Sequence, residues 1–228
     1  MMPTIPTCCH LRRSLLSLLF VCSSLMFLSC SGSDDEEGYP ALITEFTMAY
    51  ADGEGLLNHF ITDAGRTYYV ANEVKGLDAN ESARVLIGYS IEDNDGSQTS
   101  QRAWIYTAKA IPVLSDYVGK ESPSHDPTGV ESVWLGGRFI NCHLRPKTQG
   151  GKQSWAYLTD SVSKNAFGGN TYHLSLFHRQ MDDQQSYSGD LYLSIPLDSI
   201  AAFNPSDSLS FTIVTYTGPL TWRFNNLN

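Results

Sequence analysis

From residue 39 to the end of the chain, apolar and polar positions alternate with a period of two, and no long stretch carries a helical repeat. The alternation predicts strands over residues 41–50, 56–62, 67–74, 83–91 and 100–110. It is clearest in the fourth, where Val85, Ile87, Tyr89 and Ile91 share one face. Asp63-Ala64-Gly65 and Asn94-Asp95-Gly96 are turn sequences that tolerate positive φ and join neighbouring strands as hairpins. Five short antiparallel strands in about 70 residues suit a small barrel of the OB type.

Periodicity then stops over residues 115–129, a polar run with Pro123 and Pro127 that is long for a connection within one domain. It marks a domain boundary. Beyond it, strands are predicted over 130–135, 138–144, 153–162, 172–178, 190–197, 208–216 and 220–224. Leu209, Phe211 and Ile213 line one face of their strand, and Ser208, Ser210 and Thr212 the other. Gly136-Gly137, Gly150-Gly151, Gly168-Gly169 and Gly218-Pro219 punctuate the runs. Short strands with frequent turn signals indicate a sandwich of two sheets. The expected fold is all-β: an OB-like five-stranded barrel over 39–114, a linker over 115–129 and an antiparallel β-sandwich over 130–228. No sequence repeat links the two halves.

The first 29 residues follow a different rule. Arg12 and Arg13 precede an apolar run over 15–28, broken only by small serines and Cys22, which ends in Leu28-Ser29-Cys30. Positive flank, apolar core and small residues are the layout of a secretory signal. The apolar core, about 14 residues, is too short to cross a bilayer of roughly 30 Å. A lipoprotein peptidase needs a small residue before the modified cysteine; Ser29 supplies it at Cys30, whereas Val21 precedes Cys22. Fatty acyl chains such as palmitate on Cys30 give durable anchoring where one chain would be marginal. Residues 30–38 hold Asp34-Asp35-Glu36-Glu37, a solvated spacer that cannot bury apolar surface. This acidic run resembles the tether with which one group of Gram-negative bacteria sends lipoproteins to the cell surface. The expected location is the outer membrane, lipid-anchored, with display to the exterior favoured over the periplasm.

Charge and cysteine usage narrow the function classes. The chain has 15 Lys and Arg against 24 Asp and Glu, a formal net charge of −9. Loss of Arg12 and Arg13 with the leader takes it from −9 to −11. Nucleic acid, which needs a basic face, is therefore excluded as a partner. Of five cysteines, Cys8, Cys9 and Cys22 leave with the leader and Cys30 is acylated. Cys142 remains without a disulfide partner, so stability must come from core packing. It alternates with Ile140 and Leu144 as a small core residue.

Candidate chemistry is sparse. Pro146-Lys147-Thr148-Gln149-Gly150-Gly151-Lys152 lacks the first glycine of a phosphate loop, and Gln153 stands where Ser or Thr would reach magnesium. Arg145, Lys147 and Lys152 nevertheless make a basic spot on an acidic chain, fit for a carboxylate or sulfate; a solvated turn is the plain alternative. His173 and His178 differ by five residues and point to opposite strand faces, and His59 and His143 have no zinc-like partner spacing, so no metal or cofactor is expected. There is no Gly-x-Ser-x-Gly elbow, and no catalytic residue is nominated. Trp155 and Tyr157 share a face with Gln153 and Thr159, a pair able to stack a sugar if exposed. The candidate ligand contacts are Arg145, Lys147, Lys152 and Trp155. Sugar capture fails if Trp104, Trp155 and Trp222 are all buried.

Several stretches together resemble one family. They are Gly55-Leu56-Leu57-Asn58-His59-Phe60-Ile61-Thr62-Asp63, Gly76-Leu77-Asp78 and Arg84-Val85-Leu86 in the first half. In the second they are Val130-Glu131-Ser132-Val133-Trp134, His143-Leu144-Arg145-Pro146-Lys147, Leu174-Ser175-Leu176-Phe177-His178, Tyr192-Leu193-Ser194-Ile195-Pro196-Leu197 and Gly218-Pro219-Leu220-Thr221-Trp222. The chain resembles NigD-like lipoproteins over its whole mature length. The resemblance implies an N-terminal OB-like domain, a C-terminal β-sandwich and an association with a bacteriocin locus, but no catalytic residues. The expected function is a non-enzymatic, lipid-anchored envelope protein that binds a protein partner, with immunity to a bacteriocin as one version. Glycan capture for an uptake system is the alternative, and a cryptic hydrolase the third.

Overall fold

The computed structural model describes residues 41–92, 101–120, 122–225 and 227. The leader, Cys30, the acidic tether and the Asn94-Asp95-Gly96 turn lie outside these residues. Five strands, β1 (Ile43–Ala51), β2 (Leu57–Thr62), β3 (Thr67–Val70), β4 (Ser82–Ile91) and β5 (Arg102–Ala110), close into a barrel in the order β1-β2-β3-β5-β4. Phe46 of β1 turns outward to meet Trp134 and Tyr192, while Ala49, Leu57, Phe60, Tyr68, Val85, Ile87, Tyr89, Ala103 and Ile105 fill the lumen. Phe60, Tyr68 and Tyr89 plug it, with ring centroids 4.9 to 5.4 Å apart. One pair departs from the expected antiparallel scheme: β3 runs parallel to β5, with Tyr69 opposite Arg102. Alternation is the same for both senses of pairing, so only the crossover through β4 sets this one. Asn72 prolongs the pair, because its side-chain amide both donates to and accepts from the backbone of Ile105 at 2.8 and 2.9 Å.

Nine strands follow: β6 (Gly129–Gly136), β7 (Phe139–Arg145), β8 (Lys147–Thr148), β9 (Ser154–Lys164), β10 (Asn170–Arg179), β11 (Tyr187–Ser188), β12 (Leu191–Pro196), β13 (Ser208–Thr215) and β14 (Gly218–Asn225). They form a four-stranded sheet in the order β14-β13-β10-β9, a three-stranded sheet β12-β7-β6 and a small β11-β8 pair. Ile140, Cys142 and Leu144 of β7, with Leu193 and Ile195 of β12, pack against Leu174 and Leu176 of β10 and Leu209, Phe211 and Ile213 of β13. The sandwich also holds one parallel pair, β10 with β13, because the chain leaves the sheet to make β11 and β12 before returning.

Among the described residues, the stretch between barrel and sandwich carries no named strand, yet it is bound to the sandwich at several points. Leu114 is buried in the sandwich core, and its amide donates to Ser194 O at 2.8 Å. Tyr117 N donates to Tyr157 O, Asp126 N to His178 O and Thr128 N to Val214 O. Barrel and sandwich fall within one compact unit, Pro40–Asn228.

Candidate functional site

The junction of barrel and sandwich is built on one charged side chain. Arg84 projects from the outward phase of β4, where the sandwich covers it completely; only 2% of the residue is exposed. Its guanidinium meets the Asp63 carboxylate in a two-pronged pair at 2.5 and 2.7 Å, with Asp63 supplied by the β2–β3 turn. Nη2 also donates to Asn141 Oδ1 of β7 at 3.0 Å, and Nε approaches Ser194 Oγ of β12 at 3.5 Å. Ser194 Oγ donates to the same Asn141 oxygen at 2.8 Å. Phe46 of β1 and Phe139 of β7 lie 5.3 and 4.4 Å from the guanidinium carbon. The planar fork thus ties two barrel elements to two sandwich strands, and Nε, Nη1 and Nη2 each meet an acceptor, as a buried charge requires.

The β6–β7 hairpin is shaped around this pair. Gly137 and Arg138 both have positive φ, 58° and 63°, the backbone of a type I′ turn. A Cβ on Gly137 would overlap the Asp63 carboxylate, so the position takes glycine for space as well as for φ.

Two cavities flank Asp63. One, about 280 Å³, lies under the hairpin against Leu135, Phe139, Leu197 and Leu227. The other, about 470 Å³, is an open groove lined by Thr44, Glu45, Phe46, Leu86, Trp134 and Tyr192. Phe46 meets Trp134 and Tyr192 edge-on at 5.2 and 5.8 Å. Lys109 Nζ stands 5.5 Å above the Tyr192 ring, and His143 stacks on that ring at 4.3 Å. Glu45 accepts a 2.5 Å hydrogen bond from Tyr89, whose hydroxyl is pushed well above its ordinary range by burial and then by that carboxylate. Aromatic walls with carboxylates at the rim suit recognition of a partner's side chains.

Of the sequence-predicted contacts, Trp155 lines a different place, a cleft of about 210 Å³ at the sandwich edge shared with Thr148, Gln153, Asp190 and Leu191. Trp155 is half-buried, with its ring stacked on His178 at 3.8 Å and 8°. His178 Nδ1 lies 2.8 Å from the Asp126 carbonyl and Nε2 2.9 Å from Gln153 Oε1, and burial lowers its pKa against the raising effect of that carbonyl. Arg145 reaches the cleft through Asp190, at 3.1 Å. Asp190 also pairs with His143 at 2.8 Å, and His143 foremost, then Arg145, holds its carboxyl below the ordinary range. Lys147 does not join them: its Nζ lies 4.9 Å from the Tyr216 ring. Lys152 is exposed on the loop and does not line the cleft.

The glycine-rich loop does bind a carboxylate, and the carboxylate is the chain's own. Asp183 accepts from Thr148 Oγ1 at 2.6 Å, Gln149 N at 2.8 Å, Gly151 N at 3.0 Å and Gln153 Nε2 at 2.7 Å. The Thr148 hydroxyl and then the Gln149 amide hold it far below the ordinary carboxylate range. No sequence signal marked Asp183, one of two adjacent aspartates in a polar run. Arg84 stands in the sequence only within a stretch that carries the family resemblance, with no role attached, since a charge on the polar phase of a strand reads as solvent-facing. Among the described residues no group of three or more His, Cys, Asp or Glu is placed to hold a metal ion.

Comparison with known proteins agrees with this architecture. Residues 110–224 match the NigD-like C-terminal beta sandwich domain family. A crystal structure of a NigD-like immunity protein from Bacteroides caccae is 26% identical, with a TM-score of 0.61 over 82% of this chain and 93% of that one. A toxin-related candidate from Parabacteroides distasonis (14% identity, TM-score 0.65, 81% of this chain and 94% of that one) shares the fold. So does a candidate lipoprotein from Bacteroides fragilis (11%, 0.58, 81% and 97%). No curated protein matches the chain. With residues 110–224, half of the chain, matched by the model of the sandwich domain, the chain belongs to the NigD-like family.

Proposed function

We propose that this is a lipid-anchored protein of the outer membrane that acts by binding a protein partner in the groove between barrel and sandwich, rather than by catalysis. The likeness to an immunity protein, 26% identical over 82% of the chain, carries the proposal of a protein partner. The groove beside Asp63 supports its place, because aromatic side chains from both halves converge there on a junction held rigid by Arg84. The leader ending at Ser29-Cys30 supports the anchor, and the acidic run after it supports display on the cell exterior. Deleting the gene should sensitise cells to a toxic protein made by neighbouring bacteria; unchanged sensitivity would remove the immunity role. Cys30→Ser should release the protein from the membrane fraction, and intact cells should leave the wild-type domain open to added protease.

A second reading, capture of glycans, is favoured by one observation. Trp104 and Tyr106 on β5 are 45% and 50% exposed on the outside of the barrel, and neither Trp155 nor Trp222 is buried.

A further inference from the structure

Side chains from four strands stand in register on the outer face of the barrel. Tyr50 of β1 lies opposite His59 of β2, His59 opposite Tyr69 of β3, and Tyr69 beside Arg102 of β5. Tyr50 and His59 are stacked at 4.6 Å and 2°, and His59 and Tyr69 are tilted at 6.1 Å. Two residues along β5 from Arg102, on the same face, stands Trp104. The barrel core does not require this row, since it is filled by the intervening residues Phe60, Tyr68, Ala103 and Ile105. Tyr69 and Trp104 instead expose nearly half their surface, 46% and 45%.

The charge on this face selects among ligands. Arg102 Nε lies 3.6 Å from Glu92 Oε2, so its cation is offset locally, and the whole chain is acidic. A phosphate polymer needs an uncompensated basic track, and the described residues of this face provide none. A neutral sugar needs flat aromatic faces for its apolar ring face and side-chain donors and acceptors for its hydroxyls, as this row provides. The row also lies across β2 and β3, the face with which OB barrels hold extended polymers, oligosaccharides among them.

We propose that Tyr69 and Trp104 form a stacking platform for a neutral oligosaccharide, with His59 and Arg102 hydrogen bonding its hydroxyls. This rests on the glycan reading above and assigns it a place away from the groove. The test uses the full lipidated chain in phosphatidylcholine vesicles against an array of neutral gluco-, manno-, galacto- and xylo-oligosaccharides. The expected result is binding that changes little with salt and weakens about ten-fold or more in Tyr69→Ala and in Trp104→Ala. Tyr187→Ala, with 58% exposure on β11 of the sandwich, should leave it unchanged. No binding by the wild type would overturn the platform and the glycan reading together. Undiminished binding by both barrel variants would overturn the platform alone. Binding confined to single-stranded oligonucleotides, falling steeply with salt, would overturn it in favour of a polyanion.

Discussion

Arg84 in barrel strand β4 donates to Asn141 in sandwich strand β7 at 3.0 Å while holding the barrel's own Asp63 in a two-pronged pair. A single guanidinium is thereby shared between the two halves, and it sets the geometry of the groove beside it.

Removing either ionic partner should loosen that junction. Arg84→Ala leaves Asp63 without its counter-charge and opens a void against Phe46 and Phe139. Asp63→Ala leaves a fully buried cation unpaired, the costlier fault. Breaking a buried pair this way costs about 3–5 kcal/mol. Urea unfolding should show that loss, with Asp63→Ala at the upper end.

The hairpin glycine gives an independent check. Gly137→Ala adds a methyl group that overlaps the Asp63 carboxylate on a backbone at φ 58°. The strained φ alone costs about 1–3 kcal/mol, and the overlap adds to it. Gly65 also has positive φ but has open space around its Cβ position, so Gly65→Ala should cost only the backbone strain. Thermal unfolding of the two variants should rank them in that order.

Acid should destabilise the protein through the Gly-rich loop. Asp183 has its pKa lowered in the folded state, so its contribution is complete above the ordinary carboxylate value of about 3.9 and fades as pH falls below it. His178 is also lowered, by burial, so its contribution is complete above an ordinary value of about 6.5 and fades as pH falls below that. The melting temperature should therefore decline first below neutrality and again in the acid carboxylate range. Asp183→Asn should flatten the second decline and lower stability at neutral pH. An unaltered acid profile in Asp183→Asn would remove the loop from this explanation.

Cys142 should be silent. It is buried at 0% exposure, and desolvation pushes its thiol up to about 12. Alkylation by iodoacetamide should reach residue 142 only after denaturation. Labelling in the native protein would show that the sandwich core opens there.

Most of the fold is legible in the chain, and the exceptions share a cause. Val85, Ile87 and Tyr89 alternate in the sequence and are buried together in the barrel; Ile91, the last of that face, is 39% exposed because β4 ends there. Leu209, Phe211 and Ile213 likewise fall in the sandwich core, and Cys142 sits between Ile140 and Leu144 as its alternation implies. What alternation cannot carry is anything decided by a second layer. Arg84 occupies a polar phase, and only the arriving sandwich turns that phase into an interior. The parallel pairs β3–β5 and β10–β13 depend on crossovers, not on local pattern. At the candidate site, Trp155 lines the cleft, Arg145 reaches only its Asp190, Lys147 turns to Tyr216, and the glycine-rich loop closes on Asp183. Backbone amides that close on a side chain thirty residues away leave no mark in composition or spacing.

The most direct test of a protein partner in the groove is photo-crosslinking in living cells, with a photoreactive residue replacing Leu86 in one strain and Phe167 in another. Leu86 lines the groove, and Phe167 is 84% exposed on the β9–β10 turn. The expected result is a discrete protein adduct from position 86, lost in Trp134→Ala and absent from position 167. No adduct from position 86, or the same adducts from both positions, would contradict it.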